Sequence, residues 1–161
     1  MVWNKANEKY NKFIRQLFHA ENWHERAEAA RQLGIMKDAR VVNLLCRALR
    51  SEEEFMVQNR IIEALGKIGD SRATMRIIEK LDNEVDKNYS DKFRLIFILE
   101  ALSNLKDKRS LVSIAPFLNS PDEELKELAE KAFDKIEPDW RLIMERELKK
   151  KSIEEIFKIK L

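Results

Sequence analysis

Residues 63–78 read EALGKIGDSRATMRII, and this stretch decides the fold because the chain holds it three times. RQLGIMKDARVVNLL at 31–45 and EALSNLKDKRSLVSIA at 100–115 align with it. The alignment puts Asp38, Asp70 and Asp107 in register, each followed two residues later by Arg40, Arg72 or Arg109. The spacings are 32 and 37 residues, and DKIEPDWRLIM at 134–144 adds a degenerate fourth copy through Asp139 and Arg141. A period of this length marks stacked helical hairpins, each too small to bury its own apolar stripes.

The rest of the chain agrees. Of its 161 residues 44% are hydrophobic and 37% charged, with only three Gly and three Pro, so long regular elements are expected. Apolar residues recur with the helical period and nowhere alternate over a strand's length. The expected class is all-α: a leading helix over about 3–20 within a cap of 1–21, hairpins over about 22–50, 51–82, 89–119 and 120–150, and a last helix over about 152–160. We read 1–161 as one repeat domain.

Capping-box spacing occurs at Asn22/Glu25, Ser51/Glu54, Ser120/Glu123 and Ser152/Glu155, with Pro121 then at a first helical position. The Asp of each Asp-x-Arg suits the N-cap of a second helix. Ile61, Ile62, Leu65 and Ile68 share one face, as do Leu125, Leu128, Ala129, Ala132, Phe133 and Ile136. Val42, Leu45 and Leu49, or Ile77, Ile78 and Leu81, line the second helices. Tyr10, Phe13, Ile14, Leu17 and Phe18 then close one end, and Ile153, Ile156 and Phe157 the other.

AEAARQLGIMKDARVVNLLCRAL and IIEALGKIGDSRATMRIIEKL resemble HEAT-like repeats of the phycobilisome-lyase type, whose signature A-L-G-x-x-G-D-x-R-A joins two helices. The likeness covers about 22–119 well, 120–150 loosely, and the end helices not at all. It implies an α-solenoid, a right-handed superhelix of about four hairpins with capping helices at both ends. It brings no lyase activity with it, since most proteins of this kind are adaptors.

HERAEAARQLG, at 24–34, also resembles the deoxyhypusine hydroxylases, which hold two irons with His-Glu pairs from several repeats. A di-iron site needs imidazole and carboxylate ligands converging from several helices. Here the positions matching His24 and Glu25 are Met56 and Val57, then Phe93 and Arg94, and the chain has only two histidines, His19 and His24. We therefore expect no metal, no cofactor and no catalytic residue. GKIG lacks the ending of a phosphate loop, and no G-x-S-x-G occurs. Cys46 aligns with Ile78 and Ala115 and reads as a small buried hydrophobe.

A net charge of +2 does not demand a polyanionic partner. One cysteine and no bilayer-length apolar run suggest a reducing cytoplasm. The function expected is a non-catalytic scaffold, monomer or homodimer, binding another protein through its second helices. Arg40, Asn43, Arg47, Arg72, Arg76 and Arg109 are the candidate contact residues, with Glu79, Ser113, Pro116 and Arg141 beside them. The same arginines either form a ladder with the Asp residues or, in the alternative function, hold nucleic-acid phosphates. The third repeat departs from the others: a longer loop DNEVDKNYSD, Ser103 for the turn glycine, and Pro116 inside the second helix. Its first helix is apolar on most sides. Leu95 and Phe97 are therefore either covered by the loop or the C-terminal helix, or form a self-association or partner surface.

Overall fold

The computed structural model describes residues 2–147 and 153–158, and every regular element among them is helical. Helix α1 (Val2–His19) precedes, in chain order, α2 (Trp23–Met36), α3 (Val42–Ser51), α4 (Phe55–Ile68), α5 (Thr74–Val85), α6 (Lys92–Leu105), α7 (Leu111–Ile114), α8 (Glu123–Ile136) and α9 (Trp140–Glu147). The short α10 (Ile153–Ile156) follows. A single 3₁₀ turn leads from α2 to α3 at Ala39–Val41, from α4 to α5 at Ser71–Ala73 and from α6 to α7 at Lys108–Ser110. The chain divides into two compact units, Met1–Ala73 and Thr74–Leu161.

In the first unit α2 packs against both α1 and α4. Leu33, Leu45, Leu49, Ile61 and Leu65 are fully buried, and each such side chain removed from water contributes about 1.5–3 kcal/mol. Small residues set the α2–α4 distance: Ala29, Ala30 and Gly34 are buried, and a Cβ on Gly34 would stand 2.7 Å from Ala64 Cα. The glycine that the sequence suggests as turn punctuation is therefore a contact between helices. The left-handed residues that end the first helices come later, at Lys37 (φ 50°), Gly69 (φ 74°) and Lys106 (φ 53°).

In the second unit α6 packs against α5 and α8 over Ile77, Leu81, Ile98, Leu99, Leu102 and Phe133. Trp140 and Phe157 meet Phe133 with ring centroids 5.0 and 6.3 Å away, and the Trp140 indole N–H donates to Asp134 at 2.8 Å. Pro116 acts as its chemistry requires. Helix α7 stops at Ile114 and continues as 3₁₀ over Ala115–Asn119, a form that tolerates the missing donor.

The helix starts differ from the expected capping boxes. Asn22 caps α2, but by accepting from His24 N at 2.9 Å, and the Glu25 half of the box is not made. Ser51 is the last residue of α3, its hydroxyl donating back to Arg47 O at 3.3 Å; the Glu52 carboxylate accepts from Glu54 N at 2.9 Å instead. Helix α8 starts two residues late, capped by Asp122, which accepts from Glu124 N and Leu125 N at 3.0 and 3.2 Å. Pro121 therefore precedes the cap. The Ser152 cap lies outside the described residues.

Candidate partner-binding surface

Each repeated Asp closes the turn between the helices of its hairpin. Asp38 accepts from Arg40 N at 2.9 Å, Asp70 from Arg72 N at 2.9 Å, and Asp107 from Arg109 N at 3.0 Å. The arginine side chain then folds back on the same carboxylate, Nη2 lying 2.6, 2.8 and 2.5 Å from Oδ2 in the three repeats. This explains how an arginine is tolerated at a helix start, where the dipole disfavours a cation. Arg40 holds Asp38 below the usual carboxylate range, and Arg72 does the same for Asp70. Burial pushes the Asp107 carboxyl up, but the hydrogen bonds from Arg109 and Thr74 together with the Arg109 charge bring the net shift downward. The fourth copy is different: Arg141 donates to Asp134 at 2.6 Å and stacks on the Trp140 ring at 4.3 Å.

Arg40, Asn43, Arg47 and Arg72 are all exposed in the first unit. Arg40 also covers the Tyr10 ring at 4.9 Å, Arg47 covers Phe18 at 5.0 Å, and Arg72 Nη2 reaches Ala39 O at 2.8 Å. In the second unit Arg76 is half-buried and paired with Glu79, and Arg109 is half-buried beside Asp107. These guanidinium groups are engaged with the protein itself.

Of the two alternatives for Leu95 and Phe97, the covered one holds for Leu95. Leu95 is 4% exposed and Phe97 half-buried, whereas Phe93, at the start of the same helix, is 73% exposed. Helix α10 packs on α7 and α9. Leu95 is thus a core residue and cannot be a docking residue. Cys46, expected to be buried, is half-buried.

The sequence reading passed over two features. The 86–91 loop is organised by Glu84, a residue 3% exposed whose carboxylate accepts from Asp91 N and Lys87 Nζ, both at 2.7 Å, while Ser90 Oγ donates to Glu84 O. Several apolar side chains of the second unit stand in water: Val85, Tyr89 and Phe93 at or near the loop, and Met75 at the other end of α5. The signal was available, since Met75 and Val85 fall outside the Ile77, Ile78 and Leu81 stripe.

His24 stacks on Trp23 at 3.6 Å, with Nδ1 3.0 Å from Asn22 Oδ1. Among the described residues no three His, Cys, Asp or Glu side chains gather where they would hold a metal ion. No helix among them is long and apolar enough to cross a membrane.

Comparison with known proteins identifies the repeat. A family model described as HEAT repeats matches residues 10–91, a span holding both of the clearest copies. The bilin biosynthesis protein PecE of Mastigocladus laminosus is 33% identical over 93 residues, 58% of this chain and 32% of the relative. PecE of Nostoc sp. (strain PCC 7120) is 31% identical over 93 residues, 58% of this chain and 34% of the relative. The chain spans about a third of the length of the curated relatives it matches. The structure of the complex of CpcE and CpcF of phycocyanin lyase from Nostoc sp. PCC7120 matches with a TM-score of 0.68 and 22% identity, over 84% of this chain and 56% of that chain. At that identity the likeness is one of fold.

Proposed function

The chain belongs to the HEAT-repeat family, and from that premise we propose that it is a non-catalytic scaffold whose task is to hold another protein. One observation carries this reading. Met75, Val85, Tyr89 and Phe93 are large apolar side chains between 45% and 92% exposed in the second unit, where the repeat architecture gives them nothing to cover. Large apolar side chains exposed in number mark interaction surfaces, and Tyr and Phe are favoured anchors.

The comparisons support the reading without fixing the partner: the solved neighbour comes from a complex of two proteins, and its relatives by sequence are named for bilin biosynthesis. We propose assembly with a second protein as the shared property. A bilin-directed role would then arise from the assembly. Arg40, Asn43, Arg47 and Arg72 in the first unit, and Arg76 and Arg109 in the second, are proposed as polar contacts to the partner. The nucleic-acid alternative is disfavoured by the clamps, because an arginine bidentate to its own Asp must give up that pair to take a phosphate.

The test is affinity capture with the full chain, with and without nuclease, comparing wild type with Phe93→Glu and with Arg40→Glu/Arg72→Glu. The expected result is a protein that survives nuclease and is lost with Phe93→Glu. Recovery of nucleic acid alone, lost with the arginine double variant, would overturn the proposal.

A further inference from the structure

Helix α5 presents two faces. Thr74, Ile77, Ile78, Leu81 and Glu84 are buried. Met75, Asp82 and Val85 are exposed and, with the buried Ile78 between them, lie at spacings of three, four and three along one side of a groove of about 780 Å³ within the second unit. Val112 and Pro116 face them from the other side, where α7 has stopped short and the chain continues as 3₁₀. The repeat architecture does not demand this stripe. The positions 32 residues earlier are Asn43, Cys46, Arg50 and Glu53, so where the second repeat exposes Met75 and Val85 the first carries the polar Asn43 and Glu53.

Spacing and charge identify the occupant. A three-four-three stripe is the seam that one helix offers to another, and from Met75 to Val85 it runs about 15 Å, three helical turns. The groove is lined mainly by apolar side chains, the kind of surface that one face of an amphipathic helix covers. The arginine at its rim, Arg109, is neutralised by Asp107. Asp82 is exposed and makes no ion pair among the described residues, so the groove offers one negative charge in the middle of an apolar stripe. The chain's own Phe157 is buried against Phe133 and is not available to fill it.

We propose that this groove receives an amphipathic helix of the partner protein, with apolar residues at three- and four-residue spacing and a lysine or arginine set against Asp82. The inference rests on the scaffold reading above and gives it a binding mode, helix in groove.

The experiment selects helices from a displayed library of amphipathic peptides, patterned apolar on one face and randomised elsewhere, against the full chain. Affinities of the selected peptides are then measured by fluorescence anisotropy. Selected peptides are expected to carry Lys or Arg at the centre of the apolar face. They should lose roughly tenfold or more in affinity with Met75→Glu or Val112→Glu, while circular dichroism stays unchanged. Asp82→Lys should invert the preference, so that peptides with a central Glu bind better. No selected peptide, binding indifferent to these variants, or a preference that Asp82→Lys leaves alone would overturn the proposal. So would a doubled mass in light scattering that Met75→Glu returns to the monomer, because the occupant would then be a second copy. The captured partner separates the two levels of the argument. If it binds Met75→Glu and Val112→Glu normally, the groove is wrong and the scaffold stands; if no protein partner exists, the scaffold reading itself fails.

Discussion

At the scale of the residue, the repeated Asp and Arg were legible as a pattern, but their partner choice was not. The spacing two residues apart is what lets one carboxylate accept both the turn amide and the returning guanidinium, as in Asp38 with Arg40. Sequence spacing alone leaves that arginine equally able to reach out to a phosphate. The clamps and the Glu28 pair have a pH signature. Glu28 is held down to about 2 by hydrogen bonds from Arg31 and Gln32, and Asp38 and Asp70 are lowered by Arg40 and Arg72. A folded-state pKa below the unfolded value contributes stability that is complete above the unfolded carboxylate range and lost as pH falls through the folded value. The urea midpoint should therefore be level from neutrality to about pH 5 and fall between about pH 4.5 and 2, with a shallower fall in Asp38→Asn/Asp70→Asn. Gly34 makes a second prediction. With Ala64 Cα only 2.7 Å from where its Cβ would be, Gly34→Ala should cost about 1–3 kcal/mol in thermal or urea unfolding. The stability gain usual for Gly→Ala in a helix should not appear.

At the scale of the element, helix existence and the buried stripes followed from periodicity, because burial of Leu45, Leu49, Ile61 and Leu65 dominates locally. Helix starts were less legible. Ser51 and Ser120 have the spacing of caps, but Glu52 and Asp122 stand close by as charged acceptors and take the amides instead. The loop before α6 was visible only as an insertion, since its organiser, Glu84, sits inside the preceding helix. Glu84→Ala leaves Asp91 N without its acceptor in a partly buried site, a loss of about 1–3 kcal/mol. Limited proteolysis should then cut within residues 86–91 first. In α6 the two apolar substitutions separate cleanly. Leu95→Glu places a charge in the core and should unfold the second unit, while Phe93→Glu should leave the circular dichroism and melting temperature within error.

At the scale of the whole molecule, the repeat pattern accounts for architecture and the exceptions to it carry the proposed function. The residues that recur, Asp38 with Arg40 and their equivalents, close turns. Those that break the repeat, Met75 and Val85 where the earlier copy has Asn43 and Glu53, are apolar and exposed. Self-alignment therefore singles out the proposed interaction surface by subtraction. The central claim is that this surface binds protein by burying apolar area. Calorimetric titration of the full chain with its captured partner, repeated at several temperatures, tests it most directly. The account predicts saturable binding with a negative heat-capacity change, reduced or lost with Phe93→Glu. No heat with any protein, together with binding to a duplex oligonucleotide that weakens steeply with salt, would contradict it.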